Sequence, residues 1–254
     1  MSKKNIDLSS INAVIWDFDG VFFDFRKIPA KKWSSISLDA NAQAACTVLP
    51  GLKHNDAINL TLSSSIKNGD GFADFVPLAK KRGMSEAELI RKMNSEYHKI
   101  LLKTVLTQFP ETLDLAKGTV SAFNKLGSNT RHIVLTHSCA QSWTEPVIKK
   151  IGLSQIFNKH SILDYEKFDF VHKGKSPRPV EKALKTLSCR ANNAIFVEDN
   201  PKHLQIAKTA FSKITTVLIS STYSTPPDQV DIVVKNPHEL LQLLIRAKPL
   251  KSFP

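Results

Sequence analysis

The sequence predicts an α/β fold, in which a doubly wound parallel sheet is interrupted after its first strand by an all-helical insertion. From residue 113 onward, short apolar runs alternate with helical patterns of about ten residues, as in strands joined by crossover helices. Between residues 25 and 112 we find helical patterns and turn residues but no convincing strand. We therefore assign residues 1–24 and 113–254 to an α/β core, and residues 25–112 to a helical domain inserted into it.

The first predicted strand covers residues 11–16, an apolar run typical of a strand buried on both faces. Asp17 and Asp19 follow it. Residues i and i+2 of an extended segment point the same way, so the two carboxylates should converge where the strand ends. Gly20 lets the chain turn away closely there. Two such carboxylates repel each other unless a cation lies between them, and Mg2+, a hard ion with oxygen ligands, suits that position.

The inserted domain contains four predicted helices, of which three cover residues 39–48, 56–67 and 72–81 and the fourth, a long one, starts at residue 85. Ser85 is placed to cap the last of them, with Glu88 as its capping-box partner. Leu89, Met93, Tyr97 and Ile100 recur at helical spacing. That spacing indicates the core face of a helix rather than a set of ligand contacts.

The remaining core elements alternate in type along the chain, except that two strands precede the last helix. They are helix 115–126, strand 132–135, helix 142–151, strand 161–163, helix 179–187, strand 194–197, helix 201–211, strand 214–219, strand 231–234 and helix 237–247. This order is typical of a parallel, Rossmann-like sheet with helices on both faces.

Polar side chains collect at the predicted strand ends. They form two acid pairs, a hydroxyl group and a basic loop: Asp17 with Asp19, Glu198 with Asp199, Thr136, and residues 173–177. In open parallel sheets, ligands bind beyond the carboxyl ends of the strands, so these groups should gather at one site. The four acids can hold Mg2+ there, while the hydroxyl and a lysine can hold phosphate oxygens.

This set of residues, in this chain order, resembles the haloacid dehalogenase superfamily of phosphotransferases, and the resemblance covers nearly the whole chain. It implies that Asp17 is the nucleophile and Asp19 the general acid/base. It also implies that Thr136 and a lysine stabilise the transferring group. The metal would be held by Asp17, Glu198, Asp199 and the backbone carbonyl of Asp19. The helical insertion would be the family's cap domain.

The lysine and two histidines are less simple to place. The family's lysine usually precedes Pro-x-Pro directly, whereas here Ser176 intervenes and leaves both Lys175 and Lys173 as candidates. We favour Lys175, because it lies nearer to the start of the helix and needs a shorter approach. We interpret His137 as structural or solvent-facing, with a substrate contact as the alternative. We interpret His203 as a local packing difference that does not touch the ligand residues.

Charge and cysteine content limit the function classes. The net charge is +12, but the basic residues are scattered in short groups without interleaved aromatics. We therefore expect a small phosphorylated metabolite as the partner, with no nucleic acid and no membrane, and leave the oligomeric state open. Three widely spaced cysteines are typical of free thiols in a reducing compartment. No apolar stretch precedes Ile11, so we expect no secretory signal and a cytoplasmic protein.

The expected activity is Mg2+-dependent hydrolysis of a small phosphate monoester through an aspartyl-phosphate intermediate. A phosphosugar mutase or a dehalogenase on the same core remains an alternative, as does a catalytically silent binding protein of this fold. Asp19 argues against the dehalogenase, which needs no acid two residues after its nucleophile. A nucleotide, phosphoglycolate and a sugar phosphate all remain open as substrates.

Overall fold

The computed structural model describes residues 6–68, 71–222 and 227–248. The chain divides into two compact units. One, the core unit, comprises Met1–Asp24, Leu113–His137 and Val147–Pro254, and the other, the helical unit, comprises Phe25–Thr112 and Ser138–Pro146. Residues 138–146, which we assigned to the core from the sequence, thus belong to the helical unit.

A six-stranded sheet forms the centre of the core unit, and all of its neighbouring strands run parallel. The strands are β1 (Ala13–Trp16), β2 (Arg131–Leu135), β3 (Ile162–Leu163), β4 (Ala194–Glu198), β5 (Thr215–Ile219) and β6 (Ile232–Val234). Their order across the sheet is β3-β2-β1-β4-β5-β6, so β1 lies between β2 and β4. The predicted α/β class with a parallel sheet is confirmed.

Helices cover both faces of this sheet, as a doubly wound fold requires. Four helices lie entirely within the core unit: α5 (Thr119–Leu126), α7 (Arg178–Thr186), α8 (Pro201–Ala210) and α9 (Pro237–Ala247). Ile15 belongs to an apolar cluster that includes Val180 of α7 and Leu204 of α8. The next residue, Trp16, points to the opposite face, where its ring lies 5.5 Å from that of Phe123 in α5. Strand β1 is therefore buried on both faces, which explains its continuous apolar run.

The register of the central strands brings their carboxyl ends level. Trp16 pairs with Val134 of β2 and with Val197 of β4. The residues just beyond these pairs therefore emerge at the same edge of the sheet. The backbone N–H of Asp17 continues the ladder, because it donates to the Val197 carbonyl at 2.8 Å. The sheet thus places the functional groups that follow β1, β2 and β4 next to one another.

Four helices make up most of the helical unit: α1 (Ala30–Val48), α2 (His54–Asn68), α3 (Val76–Lys80) and α4 (Glu86–Gln108). The Ser85 hydroxyl accepts the backbone N–H of Glu88 at 3.2 Å, so the predicted cap of α4 is confirmed. Leu89 and Met93 are fully buried in an apolar cluster of this unit, as their spacing predicted. Helix α1 begins at Ala30, well before the predicted residue 39. The sequence did not reveal this start, because the first turns are mostly polar and exposed and show little apolar periodicity.

The segment 138–146 adds a further turn to the helical unit. It forms a π-helix at Ala140–Thr144, which leads into α6 (Glu145–Lys150). Trp143 is fully buried, and its ring lies 5.9 Å from that of His98 in α4. Packing of this large side chain accounts for the assignment of the segment to the helical unit. Among the described helices, none is long and apolar enough to cross a membrane, and all three cysteines are free.

Candidate active site

A buried lysine joins the ends of β1 and β4. Lys173 and Asp17 are only 3% and 6% exposed. The Lys173 ammonium donates to Asp17 Oδ1, to Glu198 Oε2 at 3.0 Å and to the Leu135 carbonyl at 3.2 Å. The three donated bonds match the three protons of an ammonium group, so the cation is fully satisfied. Three strands, β1, β2 and β4, therefore supply its acceptors.

The prediction that Lys175 completes the site is wrong, because its side chain is exposed whereas that of Lys173 is buried against Asp17. The physical reason is a turn. The backbone N–H groups of Lys175 and Ser176 both donate to the His172 carbonyl, at 2.9 and 3.1 Å. The chain reverses at this point, so distance along the sequence to the following proline does not determine which lysine faces the site.

Three carboxylates gather around the end of β1. One oxygen from each of Asp17, Glu198 and Asp199 can be chosen so that all three lie within 4.8 Å of one another. Such a set of oxygen ligands suits a hard divalent cation such as Mg2+. The side chain of Asp19 is not part of this group, and its predicted contribution through the backbone carbonyl remains a prediction.

The charge balance of the site also favours a cation. Burial, together with the neighbouring Glu198 carboxylate, raises the pKa of Asp17 well above its usual range. Burial opposes the ionised form of Glu198 too, but the Lys173 ammonium holds the pKa of Glu198 well below its usual value. Burial likewise disfavours the charge on Lys173, but the Asp17 and Glu198 carboxylates outweigh it and raise the pKa of Lys173. One ammonium thus faces three carboxylates, and a divalent cation would remove the remaining repulsion.

Asp19 and Thr136 lie beside this cluster. The Thr136 side chain is fully buried, and its backbone N–H donates to the Leu163 carbonyl at 2.9 Å. Its hydroxyl donates to Asp19 Oδ2 at 3.5 Å, which is the long limit of a hydrogen bond. The structure therefore brings together the predicted acid/base and the predicted hydroxyl.

Gly20 occupies a position that admits no side chain. Its φ is +83°, in the left-handed region. A Cβ atom on Gly20 would lie 2.0 Å from Asp199 Oδ2. The turn after β1 is closed by the Gly20 N–H, which donates to the Phe23 carbonyl at 2.8 Å. The close turn expected from the sequence therefore also leaves space for the side chain of Asp199, the residue after β4.

Three histidines beside Lys173 were not identified as a group from the sequence. His137 Nε2 accepts the backbone N–H of Lys173 at 3.0 Å, and His172 Nδ1 accepts that of Gly174 at 2.9 Å. The rings of His137 and His172 stack with centroids 4.2 Å apart. His203 lies close to both, with ring centroids 6.0 Å from His137 and 5.6 Å from His172. A signal was available, since His137 and His172 each adjoin a site residue in the sequence.

The interpretation of His203 as a packing difference away from the ligand residues is wrong. Its Nδ1 lies 3.0 Å from Glu198 Oε2. The His203 ring thus lies directly against a carboxylate of the site. The interpretation of His137 as structural agrees with its hydrogen bond to the backbone N–H of Lys173.

Comparisons with known proteins relate the chain to one enzyme family and to several solved structures. A family-wide sequence model described as haloacid dehalogenase-like hydrolase matches residues 14–217. Among curated proteins, no sequence matches the chain. A HAD phosphatase from Thermococcus onnurineus has a similar structure, with a TM-score of 0.59 and 15% identity over 92% of this chain and 98% of that one.

Two further solved structures extend the comparison. A HAD hydrolase of family IA, variant 3, from Entamoeba histolytica has a TM-score of 0.58 and 18% identity over 93% of this chain and 100% of that one. An L-2-haloacid dehalogenase has a TM-score of 0.52 and 18% identity over 92% of this chain and 98% of that one. At these identities the likeness establishes the fold, and the fold is shared by phosphatases and dehalogenases alike.

Proposed function

The chain belongs to the haloacid dehalogenase-like hydrolase family, and from this we propose that it is a Mg2+-dependent phosphatase that hydrolyses a small phosphate monoester through an aspartyl-phosphate intermediate. The main support is the buried Lys173 ammonium, which contacts both Asp17 and Glu198 at the edge where Asp199 also lies. A transferring phosphoryl group needs a positioned nucleophile and concentrated positive charge, and this arrangement offers both.

Asp17 is the proposed nucleophile. Its backbone is fixed by the hydrogen bond to Val197, and Lys173 orients its carboxylate. A carboxylate oxygen attacks phosphorus, the bond to the ester oxygen breaks, and the phosphoryl group becomes an acyl phosphate on Asp17. The Lys173 ammonium and the Thr136 hydroxyl stabilise the charge on the group in transfer. Lys173, and not Lys175, is the lysine of this proposed site.

Asp19 is the proposed general acid and base. It lies two residues after the nucleophile, and the Thr136 hydroxyl contacts its carboxylate. As a carboxylic acid it protonates the departing alcohol, and as a carboxylate it then takes a proton from the water that hydrolyses the acyl phosphate. Asp19 is thereby returned to its starting protonation state.

Asp17, Glu198 and Asp199 are the proposed metal ligands, together with the backbone carbonyl of Asp19. When bound, Mg2+ would neutralise both the carboxylates and the non-bridging phosphate oxygens. The raised pKa of Asp17 supports this assignment, because a nucleophile must be ionised and a nearby dication favours ionisation.

The acid pair of β1 also favours a phosphatase over a dehalogenase, since an alcohol leaving group needs a proton donor and a halide does not. A small phosphorylated metabolite remains the proposed partner, with nucleotides, phosphoglycolate and sugar phosphates as candidate substrates. A cytoplasmic location remains a prediction, and the three free thiols are compatible with it.

A substrate panel tests the proposal. The purified chain, with Mg2+, is assayed for release of inorganic phosphate from nucleotides, phosphoglycolate, sugar phosphates and p-nitrophenyl phosphate, and for halide release from a 2-haloacid. We expect phosphate release that stops in EDTA and is absent from the Asp17→Asn variant. Halide release alone would support the dehalogenase, and a phosphate moved within a sugar rather than released would support the mutase.

A further inference from the structure

The backbone of the site lysine is held by imidazole rings rather than by regular secondary structure. Lys173 lies in a loop between β3 and α7, where no strand supplies a hydrogen-bond ladder. Its backbone N–H instead donates to His137 Nε2 at 3.0 Å. His137 follows Thr136 at the end of β2, so this contact ties the loop to the central sheet. The side chain of Lys173 is buried and its three donors are already used. A small displacement of its backbone would therefore disturb all three contacts.

The bond between His137 and Lys173 requires one form of the imidazole. Because Nε2 accepts a hydrogen bond, it must itself be unprotonated, and in the neutral ring the proton lies on Nδ1. Burial, with additional effects from Lys173, His172 and His203, lowers the pKa of His137 well below its ordinary value. The ring therefore stays neutral and keeps its acceptor.

The neighbouring rings restrict the movement of His137. It stacks on His172, which in turn accepts the N–H of Gly174. A Cβ atom on Gly174 would lie 3.0 Å from His172 Nδ1 and 3.1 Å from His203 Cδ2, so a side chain there would require the rings to shift slightly. Two consecutive backbone N–H groups thus bond to two stacked imidazoles, which fixes the position of the chain that bears the lysine.

We propose that His137 is a positioning residue for Lys173, acting by accepting the lysine's backbone N–H and so holding the ammonium against Asp17 and Glu198. This inference rests on the proposed function, in which Lys173 stabilises the transferring phosphoryl group. In this role His137 acts through Lys173, whose backbone N–H it accepts.

Two substitutions separate the acceptor from the ring. His137→Phe keeps an aromatic ring for stacking but has no acceptor, while His137→Gln keeps an oxygen acceptor in place of Nε2 and has no ring. We expect His137→Phe to lower kcat by about tenfold or more, because it leaves a buried N–H unsatisfied and releases the lysine. We expect His137→Gln to retain kcat within about threefold of wild type. If His137→Phe does not fold, His137→Leu, which also lacks an acceptor, replaces it.

A double-mutant cycle decides whether the effect acts through the lysine. In a Lys173→Met background, His137→Phe should change kcat by less than about twofold, because the group that it positions is gone. A merely structural role would instead lower kcat by the same factor in both backgrounds, and would overturn the inference. So would a His137→Gln variant as impaired as His137→Phe. A wild-type enzyme without phosphatase activity would overturn the proposed function first, and this inference with it.

Discussion

The Lys173 ammonium lies 3.0 Å from a carboxylate oxygen of Glu198 while it also bonds to Asp17, so acids from two neighbouring strands share one buried cation. Glu198, a proposed metal ligand, therefore has a second role in this contact. It holds the lysine on the side of Asp17, and its own ionisation depends on that lysine. Removing the lysine would leave two buried carboxylates, Asp17 and Glu198, without their shared cation.

The two candidate lysines should behave very differently on substitution. Lys173→Met keeps the aliphatic stem but removes the charge, and we expect kcat/KM to fall by at least about 100-fold, or about 2.7 kcal/mol. The loss should be insensitive to salt, because the contact is buried. Lys175→Met is the matched control, and its exposed side chain should give a small effect that weakens further at high salt. Steady-state kinetics at two ionic strengths measures both, and a larger loss for Lys175→Met would contradict the placement.

The nucleophile can be identified by substitution and by trapping. Asp17→Asn is nearly isosteric but cannot form an acyl phosphate, so we expect turnover to fall by at least about 10^3-fold, or about 4 kcal/mol. Rapid acid quenching of the wild type should yield a peptide that contains Asp17 and carries one additional phosphoryl group. Asp56→Asn, at an exposed acid of α2, serves as the control and should retain full activity. A variant at position 17 with a tenth of wild-type activity would exclude this role.

The general acid can be tested with leaving groups of different quality. Asp19→Asn should slow the hydrolysis of alkyl phosphates much more than that of p-nitrophenyl phosphate, whose leaving group needs little protonation. The measurement is kcat/KM for a series of esters that differ in the pKa of their alcohol. Equal slowing across the series would show that Asp19 acts on structure or on the metal instead.

The proposed metal site can be tested at Asp199, which directly follows β4. Asp199→Asn removes a proposed Mg2+ ligand but leaves Asp17 and Lys173 in place. We expect the Mg2+ concentration for half-maximal activity to rise by about tenfold or more, with partial recovery in excess Mg2+. A Mg2+ titration of initial rates provides the measurement. If wild-type activity survives thorough treatment with EDTA, the metal assignment fails.

A histidine outside the site should make stability depend on pH. His132 Nδ1 accepts the Trp16 indole N–H at 3.2 Å. Burial, with a smaller effect from Lys248, lowers the pKa of His132 from 6.5 to about 3. Between these values the unfolded chain binds a proton that the folded chain does not. This contribution to stability is therefore complete above about pH 6.5 and is lost as the pH falls, by at most about 1.4 kcal/mol per pH unit.

Urea unfolding between about pH 7 and pH 5 measures this dependence. His132→Asn keeps an acceptor for Trp16 but cannot titrate, so its unfolding free energy should decline less steeply with falling pH than that of the wild type. His160→Asn, at an exposed histidine, is the control and should follow the wild-type slope. Identical slopes for wild type and His132→Asn would be inconsistent with a neutral buried imidazole.

The parts of the site that were predictable depend on local periodicity. The apolar run of β1 and the i, i+2 spacing of Asp17 and Asp19 are short-range patterns, and the parallel sheet confirms what they indicated about the strand. The Ser85 cap was recognisable for the same reason, because capping needs only neighbouring residues. Each of these features is decided within a few residues of chain.

The parts that were missed depend on the direction of a turn or on distant packing. A chain reversal at His172 determines that Lys173, and not Lys175, faces the site. The backbone hydrogen bonds that form this turn have no simple sequence pattern. Placement of residues 138–146 in the helical unit follows from burial of Trp143 against residues far away along the chain. The histidine contacts also join separate loops, so spacing alone could not reveal them.

The close approach of Gly20 to Asp199 links two positions that are far apart in the sequence. A side chain at position 20 would have to adopt a φ of +83° and would also displace the Asp199 carboxylate. As long as natural selection preserves the acid at position 199, position 20 is not free to drift. Loss of the acid at position 199 would remove the steric conflict, but the left-handed φ at position 20 would remain. Two independent constraints therefore act on this one glycine, and only one of them depends on Asp199.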